Sequence, residues 1–228
     1  MNKTFKIKTE FLGAFDTPDH IMPVGSIRDN YTNISLINEV LKYFNNSNIK
    51  VLDLGCAGGQ FLVDFLRSGA DVVGLEGSSH VFNGPGKFNW IKLMNHNFFL
   101  CDITKPFNIS EYSESYENNT KFDFIHCSEV MEHIEEVDLI SFLNNVKKHL
   151  STDGVFCCQI AIDDTDPLHV SVFDIEKWLK IFDENDLKPF DNGISNKYFG
   201  GYIFQNRFRD HVLSNYSTSL YFCLKLKL

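Results

Sequence analysis

The stretch "SEVMEHIEE", residues 128 to 136, sets two carboxylates and an imidazole within little more than one helical turn. Glu129, Glu132 and His133 stand at i, i+3 and i+4, a spacing that places them on one side of a helix. Carboxylates and imidazoles are ligands for divalent cations, so the three together can begin a metal site. They can equally open a helix, with Ser128 as its cap and acidic groups favouring the dipole by about 0.3–1 kcal/mol each. A further imidazole, His169, follows in "DTDPLHVSVFDIEKW". Just before it, Asp163, Asp164 and Asp166 offer either alternative cation ligands or a solvated loop.

A second group of residues surrounds "VLDLGCAGG", where Asp53, Gly55, Gly58 and Gly59 sit between an apolar run and a helical pattern. Glycines there let the backbone approach a ligand closely, and a helix N-terminus favours negative charge. Dinucleotide enzymes share such a turn, and simple packing also explains it. Spacing adds information. Glu76 closes the next apolar run about twenty residues on, where a carboxylate can accept both hydroxyls of a ribose. Asp102 closes the run after that, where a carboxylate can take the amino group of an adenine.

These groups need a frame to hold them. "IKVLDLG", "ADVVGLE", "NFFLCD", "KFDFIHCS" and "GVFCCQIAI" are short apolar runs that end in glycine or polar residues, the pattern of buried strands. Helical spacing marks "ISLINEVLKYF", "QFLVDFLRSG", the segment of Leu139, Leu143, Val146 and Leu150 closed by "STDG", and "FDIEKWLKIFDEN". The terminal "SLYFCLKLKL" alternates as a strand, with Leu220, Phe222, Leu224 and Leu226 on one face. Alternating strands and helices predict an α/β fold whose mostly parallel sheet is covered on both faces. Ligands in such sheets bind beyond the carboxyl ends of the strands, which is where each candidate lies. "NISEYSESYENNT" reads as a solvated loop.

Length and composition narrow the class. A chain of 228 residues suits one domain. We expect a lid and helix over 1–47 and a cofactor-binding core over 48–228. A net charge of −9 disfavours extended nucleic-acid binding. No apolar run reaches the length of a membrane span, and "MNKTFKIKTE" lacks the apolar core of a signal peptide. The six cysteines form no C-x-x-C pair and read as buried thiols of a reducing compartment, the cytoplasm.

In order and spacing, "VLDLGCAGG", "VVGLE", "FFLCDI", "FDFIHCSEVMEHI" and "HLSTDGVFCCQI" resemble the class I S-adenosylmethionine-dependent methyltransferases. The resemblance spans roughly residues 48–185 and the last strand. It implies a Rossmann-like seven-stranded sheet whose last strand is antiparallel. It also implies that the cofactor lies on Asp53, Gly55, Cys56, Ala57 and Gly59, with the ribose at Glu76 and Gly77 and the adenine at Asp102 and Ile103; Cys127 borders it. Ala57 departs from the family's pattern, which has glycine there.

The E-x-x-E-H pattern plus a later histidine resembles metal-dependent 2′-O-methyltransferases of small-RNA 3′ ends. Its first part also resembles the O-methyltransferases of ubiquinone biosynthesis. By motif, Glu129, Glu132, His133 and His169 would hold a divalent cation such as Mg or Mn. The catalytic candidates are His133, His169 and Glu129; without a metal, either histidine is the general base.

For the acceptor, "DPLHV…W" resembles methyltransferases of polysaccharide assembly. The expectation is O-methylation of a sugar hydroxyl in glycan or nucleotide-sugar metabolism. A catechol- or quinone-like small molecule comes second, an RNA 3′-end ribose third, and an inactive cofactor-binding relic last. "IMPVGSIRDNYTN", with Arg28, Asn30 and Tyr31, either crosses the cofactor and acceptor or is a plain connection. Tyr198, Tyr202, Phe204, Arg207 and Arg209 offer aromatic faces and cations to an acceptor, or simply core and surface.

Overall fold

The computed structural model describes residues 3–45, 48–162, 164, 166–190, 202–206 and 218–227. In chain order its strands are β1 (Phe5–Lys8), β2 (Lys50–Leu54), β3 (Asp71–Glu76), β4 (Phe98–Leu100), β5 (Asn108–Glu111), β6 (Phe122–Ser128), β7 (Leu150–Ala161), β8 (Leu187–Pro189), β9 (Tyr202–Asn206) and β10 (Thr218–Leu226). The α-helices are α1 (Pro18–Ile21), α2 (Val24–Arg28), α3 (Ile34–Tyr43), α4 (Gln60–Arg67), α5 (Lys87–Leu93), α6 (Glu136–His149) and α7 (Ile175–Glu184).

The main sheet runs β4-β3-β2-β6-β7-β10-β8, with β9 also on β10. Strands β4, β3, β2, β6 and β7 are parallel, and β10 is antiparallel to β7. The last strand in sequence is therefore the antiparallel one, as expected, and it is inserted between β7 and the edge. That edge is shared: β8 pairs with residues 224–226 of β10, and β9 with residues 218–222. Seven strand positions are thus filled by eight strands.

Period-two alternation sends Leu52 and Leu54 of β2 to one face and Val51 to the other. The first face packs under α6 and α7 through Leu139, Phe142, Trp178 and Phe182. The second packs under α3, α4 and α5 through Val40, Phe61, Phe65 and Trp90. Local capping fixes two of these helices: Asn33 accepts from Leu36 N at 3.0 Å, and Asp174 accepts from Lys177 N at 2.8 Å. All six cysteines are buried and free.

Three expectations change. The first four residues of "NISEYSESYENNT" are β5, which pairs antiparallel with β1. Its backbone needs a partner whatever its side chains, and Ile109 and Ser110 are fully buried there. The first residues of the chain are also more than a lid, because Phe5 is fully buried against Phe122, ring centroids 6.1 Å apart. Finally, "STDG" does not separate helix from strand. Leu150 already pairs with Phe122, and the next pairing is Val155 with Phe124, so residues 151–154 form an excursion inside β7.

Candidate active site

The glycine turn joins β2 to α4. Gly55 and Gly59 have φ of 79° and 76°, and Ala57 has 43°. A Cβ on Gly59 would lie 2.2 Å from the Phe98 ring, so glycine is required there twice over. Ala57 tolerates the left-handed backbone at a cost of roughly 1–2 kcal/mol. Several bonds hold the turn in place. Gly55 N and Cys56 N both donate to Leu75 O, at 2.9 and 3.0 Å. The Trp90 indole donates to Ala57 O at 2.7 Å. Gly59 has no side chain with which to cap α4, and Asn30 supplies the cap by accepting from Gln60 N at 3.1 Å. Gly58 N donates to Asp29 O at 2.8 Å. Part of the segment before α3 therefore does lie on the turn, whereas Arg28 and Tyr31 are exposed.

Glu76, at the end of β3, is buried, and its two oxygens accept from Ala57 N at 2.9 Å and Ser78 N at 3.0 Å. The carboxylate is thus held against the glycine turn at Ala57. Asp102 follows β4, and its Oδ1 accepts from the Thr104 amide and hydroxyl at 2.9 and 2.7 Å. Residues 11–14 run along this edge: Ala14 N donates to Gly77 O at 2.9 Å and Asp102 N to Phe11 O at 3.0 Å. Ile103 lies buried beside them. Asp53 is almost fully buried, and its Oδ1 is 2.8 Å from His126 Nδ1. Cys127 is different, since its thiol is fully buried in the core on the α6 face. Burial and Asp53 push the Cys56 thiol well above its ordinary range, so it stays neutral beside the turn.

The "SEVMEHI" segment is not the start of a long helix. Glu129 has a left-handed φ of 56°, Met131–His133 make one 3-10 turn, and α6 begins only at Glu136. Ser128 instead donates its hydroxyl to Gln159 Oε1 at 3.3 Å. At Glu129 the carboxylate turns towards β7 and β10. It accepts from the Gln159 amide and from Ser219 Oγ, the latter at 3.0 Å. Glu132, His133 and His169 converge, with ligand atoms all within 4.8 Å of one another. Glu132 is fully buried and its Oε1 accepts from Ala161 N at 3.0 Å. His133 Nδ1 lies 3.1 Å from Leu168 O, a carbonyl that can only accept, so Nδ1 is the donor in that bond. The His133 and His169 rings meet edge to face, centroids 4.9 Å apart.

Asp166 shapes the turn that presents His169. Its Oδ1 accepts from Leu168 N at 2.9 Å and its carbonyl from His169 N at 3.0 Å. Asp164 and Asp166 are exposed, in keeping with a solvated loop; Asp163 lies outside the described residues. Tyr198, Arg207 and Arg209 also lie outside them, and Tyr202 and Phe204 fall on β9. Sequence reasoning missed His126, Trp90 and Gln159. The signal for His126 was an imidazole within the apolar run "FDFIHCS", on the same face as Phe124.

A sequence profile described as "Methyltransferase domain" matches residues 26–191. The ubiquinone biosynthesis O-methyltransferase of Rickettsia bellii (strain OSU 85-389) is 24% identical over 133 residues, 58% of this chain and 49% of that one. The chain thus spans about half the length of the curated relatives it matches. Among solved structures, the 1,6-didemethyltoxoflavin-N1-methyltransferase of Burkholderia thailandensis, with bound 1,6-didemethyltoxoflavin and S-adenosylhomocysteine, superposes with a TM-score of 0.59. It is 13% identical, over 84% of this chain and 76% of that one. The O-methyltransferase from a trans-AT PKS multienzyme of Brevibacillus brevis, in complex with S-adenosyl-L-homocysteine, gives 0.58 at 17% identity, over 84% and 71%. These likenesses establish the fold.

Proposed function

The chain belongs to the methyltransferase-domain family of the class I, S-adenosylmethionine-dependent fold, and from that premise we propose that it methylates a hydroxyl oxygen of a small molecule. The observation that carries this reading is the meeting of Glu132, His133 and His169 at the ends of β6 and β7. Strand β6 adjoins β2, which ends in the glycine turn, so acceptor chemistry and donor site share one edge of the sheet.

S-adenosylmethionine supplies a methyl group already activated on a sulfonium sulfur. The chain's task is then to bind the donor, aim the acceptor oxygen at the methyl carbon and take its proton. Glu76 faces the ribose and Asp102 the adenine, while the turn from Asp53 to Gly59 takes the methionine end. His133 takes the general-base role, because Leu168 O engages its Nδ1–H and Nε2 is then the nitrogen that can receive the proton. His169 stands beside it as the second imidazole. Glu129, engaged by Gln159 and Ser219, positions Gln159 rather than joining the three converging residues.

The donor set of one buried carboxylate and two imidazoles fits a divalent cation, and its two nitrogens suit a transition metal better than Mg. Such a cation would lower the pKa of an acceptor hydroxyl by several units.

The names of the curated relatives favour a phenol- or catechol-like acceptor over the sugar hydroxyl that "DPLHV…W" suggested. The free buried cysteines favour a reducing compartment such as the cytoplasm. No helix among the described residues is long and apolar enough to cross a membrane. The test is transfer of labelled methyl to a panel of catechols, phenols and sugars, with and without chelator, by wild type and His169→Ala. We expect methylation of a catechol-like hydroxyl, lost in chelator, and a variant that binds donor normally but no longer responds to metal. Transfer that is undiminished in excess chelator removes the cation from the reading; transfer only to sugars restores the glycan acceptor.

A further inference from the structure

Beneath the glycine turn, four side chains line up across the sheet. Register sets Asp53 of β2 beside His126 of β6, His126 beside Cys157 of β7, and Cys157 opposite Cys223 of β10. Cys157 and Cys223 belong to the core on the α3–α4 face, and period two puts Asp53 with Val51 and His126 with Phe124 on that face. Contacts join the row: Asp53 Oδ1 is 2.8 Å from His126 Nδ1, and Cys223 Sγ donates to Cys157 Sγ at 3.5 Å. The side chains of His126 and Asp53 are only 15% and 6% exposed. A polar row within an apolar face is costly to bury, and here it ends on the residue that opens the turn.

We propose that His126 is a positioning residue for the methyl donor: it fixes the Asp53 carboxylate and sets the net charge that carboxylate presents to the cationic end of S-adenosylmethionine. The inference rests on the donor reading above and adds to it a control by a side chain that never touches the donor.

The groups facing His126 are few. Asp53 lies on one side and the Cys157 thiol on the other, with Cys223 behind it; the Cys56 thiol lies beside Asp53. From α4 the ring meets Phe61, centroids 4.5 Å apart, and from its own strand Phe124. Burial lowers the pKa of His126, but the charge and hydrogen bond of Asp53, helped by Cys157, outweigh it and hold the imidazolium above its ordinary range. While His126 is charged, it cancels Asp53 and the pair is neutral. Once pH rises through its pKa, Asp53 presents an uncompensated charge and a cationic donor binds more tightly. By linkage, donor binding lowers the pKa of His126.

The experiment is calorimetric titration of wild type and His126→Gln with S-adenosylmethionine from pH 6 to pH 9. The donor's own amino group titrates identically in both, so the ratio of the two dissociation constants isolates His126. We expect that ratio to change by about three- to tenfold across the range, the size of a shift of up to one pKa unit. A merely structural role gives a ratio that is constant with pH, and that result overturns the inference while leaving the donor reading intact. A wild-type protein that binds no donor overturns both. Histidine proton resonances followed with and without donor give the second readout: a His126 pKa unmoved by donor also overturns it.

Discussion

At the scale of single residues, the proposed donor site depends on carboxylates whose directions are set by backbone amides. Glu76 is the clearest case, since the group we propose for the ribose also tethers Ala57 and Ser78. Glu76→Ala should weaken S-adenosylmethionine binding by about 2–3 kcal/mol, as two hydroxyls lose a charged acceptor. Calorimetry on a variant shown to be folded checks it, and unchanged affinity removes Glu76 from the site. His149 offers a residue-scale prediction of stability. It is fully buried, its Nδ1 bonds Asn145 O at 2.8 Å and its ring stacks on Phe107. Burial pulls its pKa down from 6.5 to about 4. The folded pKa is depressed, so the unfolded chain takes up this proton first. The stabilisation is complete above pH 6.5 and is lost as pH falls towards 4, by about 2–3 kcal/mol. Urea unfolding at pH 7.5 and 4.5 should show His149→Phe losing less stability than wild type by that amount. Equal losses would mean that the imidazole takes up its proton without unfolding.

Elements differ in how far the sequence betrays them. Strands β2, β3, β4, β6 and β7 were legible because each is an apolar run buried on both faces, and α4 and α7 because their apolar residues keep helical spacing. β1 and β5 were not, because "FKIK" is half polar, "NISE" mostly so, and the two pair with each other away from the main sheet. The cation-type group was half legible. Residue types and strand ends pointed to Glu132, His133 and His169, but the left-handed backbone at Glu129 has no signature in a glutamate and turns that carboxylate towards Gln159 and Ser219. The glycine turn yields a prediction with two signs. Ala57→Gly relieves a left-handed alanine by roughly 1–2 kcal/mol and loses about 0.4–1 kcal/mol through a freer unfolded chain, so it should stabilise by about 0.5–1 kcal/mol. Gly59→Ala adds a Cβ 2.2 Å from the Phe98 ring at a φ of 76° and should destabilise by more than about 2 kcal/mol. Denaturant midpoints of the two variants check it; the same sign in both would mean that the turn's backbone is not what decides.

On the scale of the whole molecule, the two cores are separated only by the sheet they share, and the start of the chain is tied to its middle. Lys3 and Lys50 both reach Glu111, at 2.7 and 2.8 Å, and Lys3 N donates to Asp71 at 2.8 Å. These ion pairs are partly exposed and contribute little. Phe5 contributes far more, because its whole ring is enclosed with Phe107, Ile109 and Phe122 in the core that also holds α6. If β1 acted only as a lid over the donor, truncating Phe5 would alter affinity and leave stability alone. The packing predicts the reverse. Phe5→Ala should lower the unfolding free energy by about 3–5 kcal/mol, the range for emptying a buried aromatic site. Because the cores share β2, β6 and β7, unfolding should remain one transition, with loss of helix signal and loss of donor binding at the same denaturant concentration. Two separated transitions, or a variant as stable as wild type, would show that residues 5–8 fold apart from the sheet that carries the site.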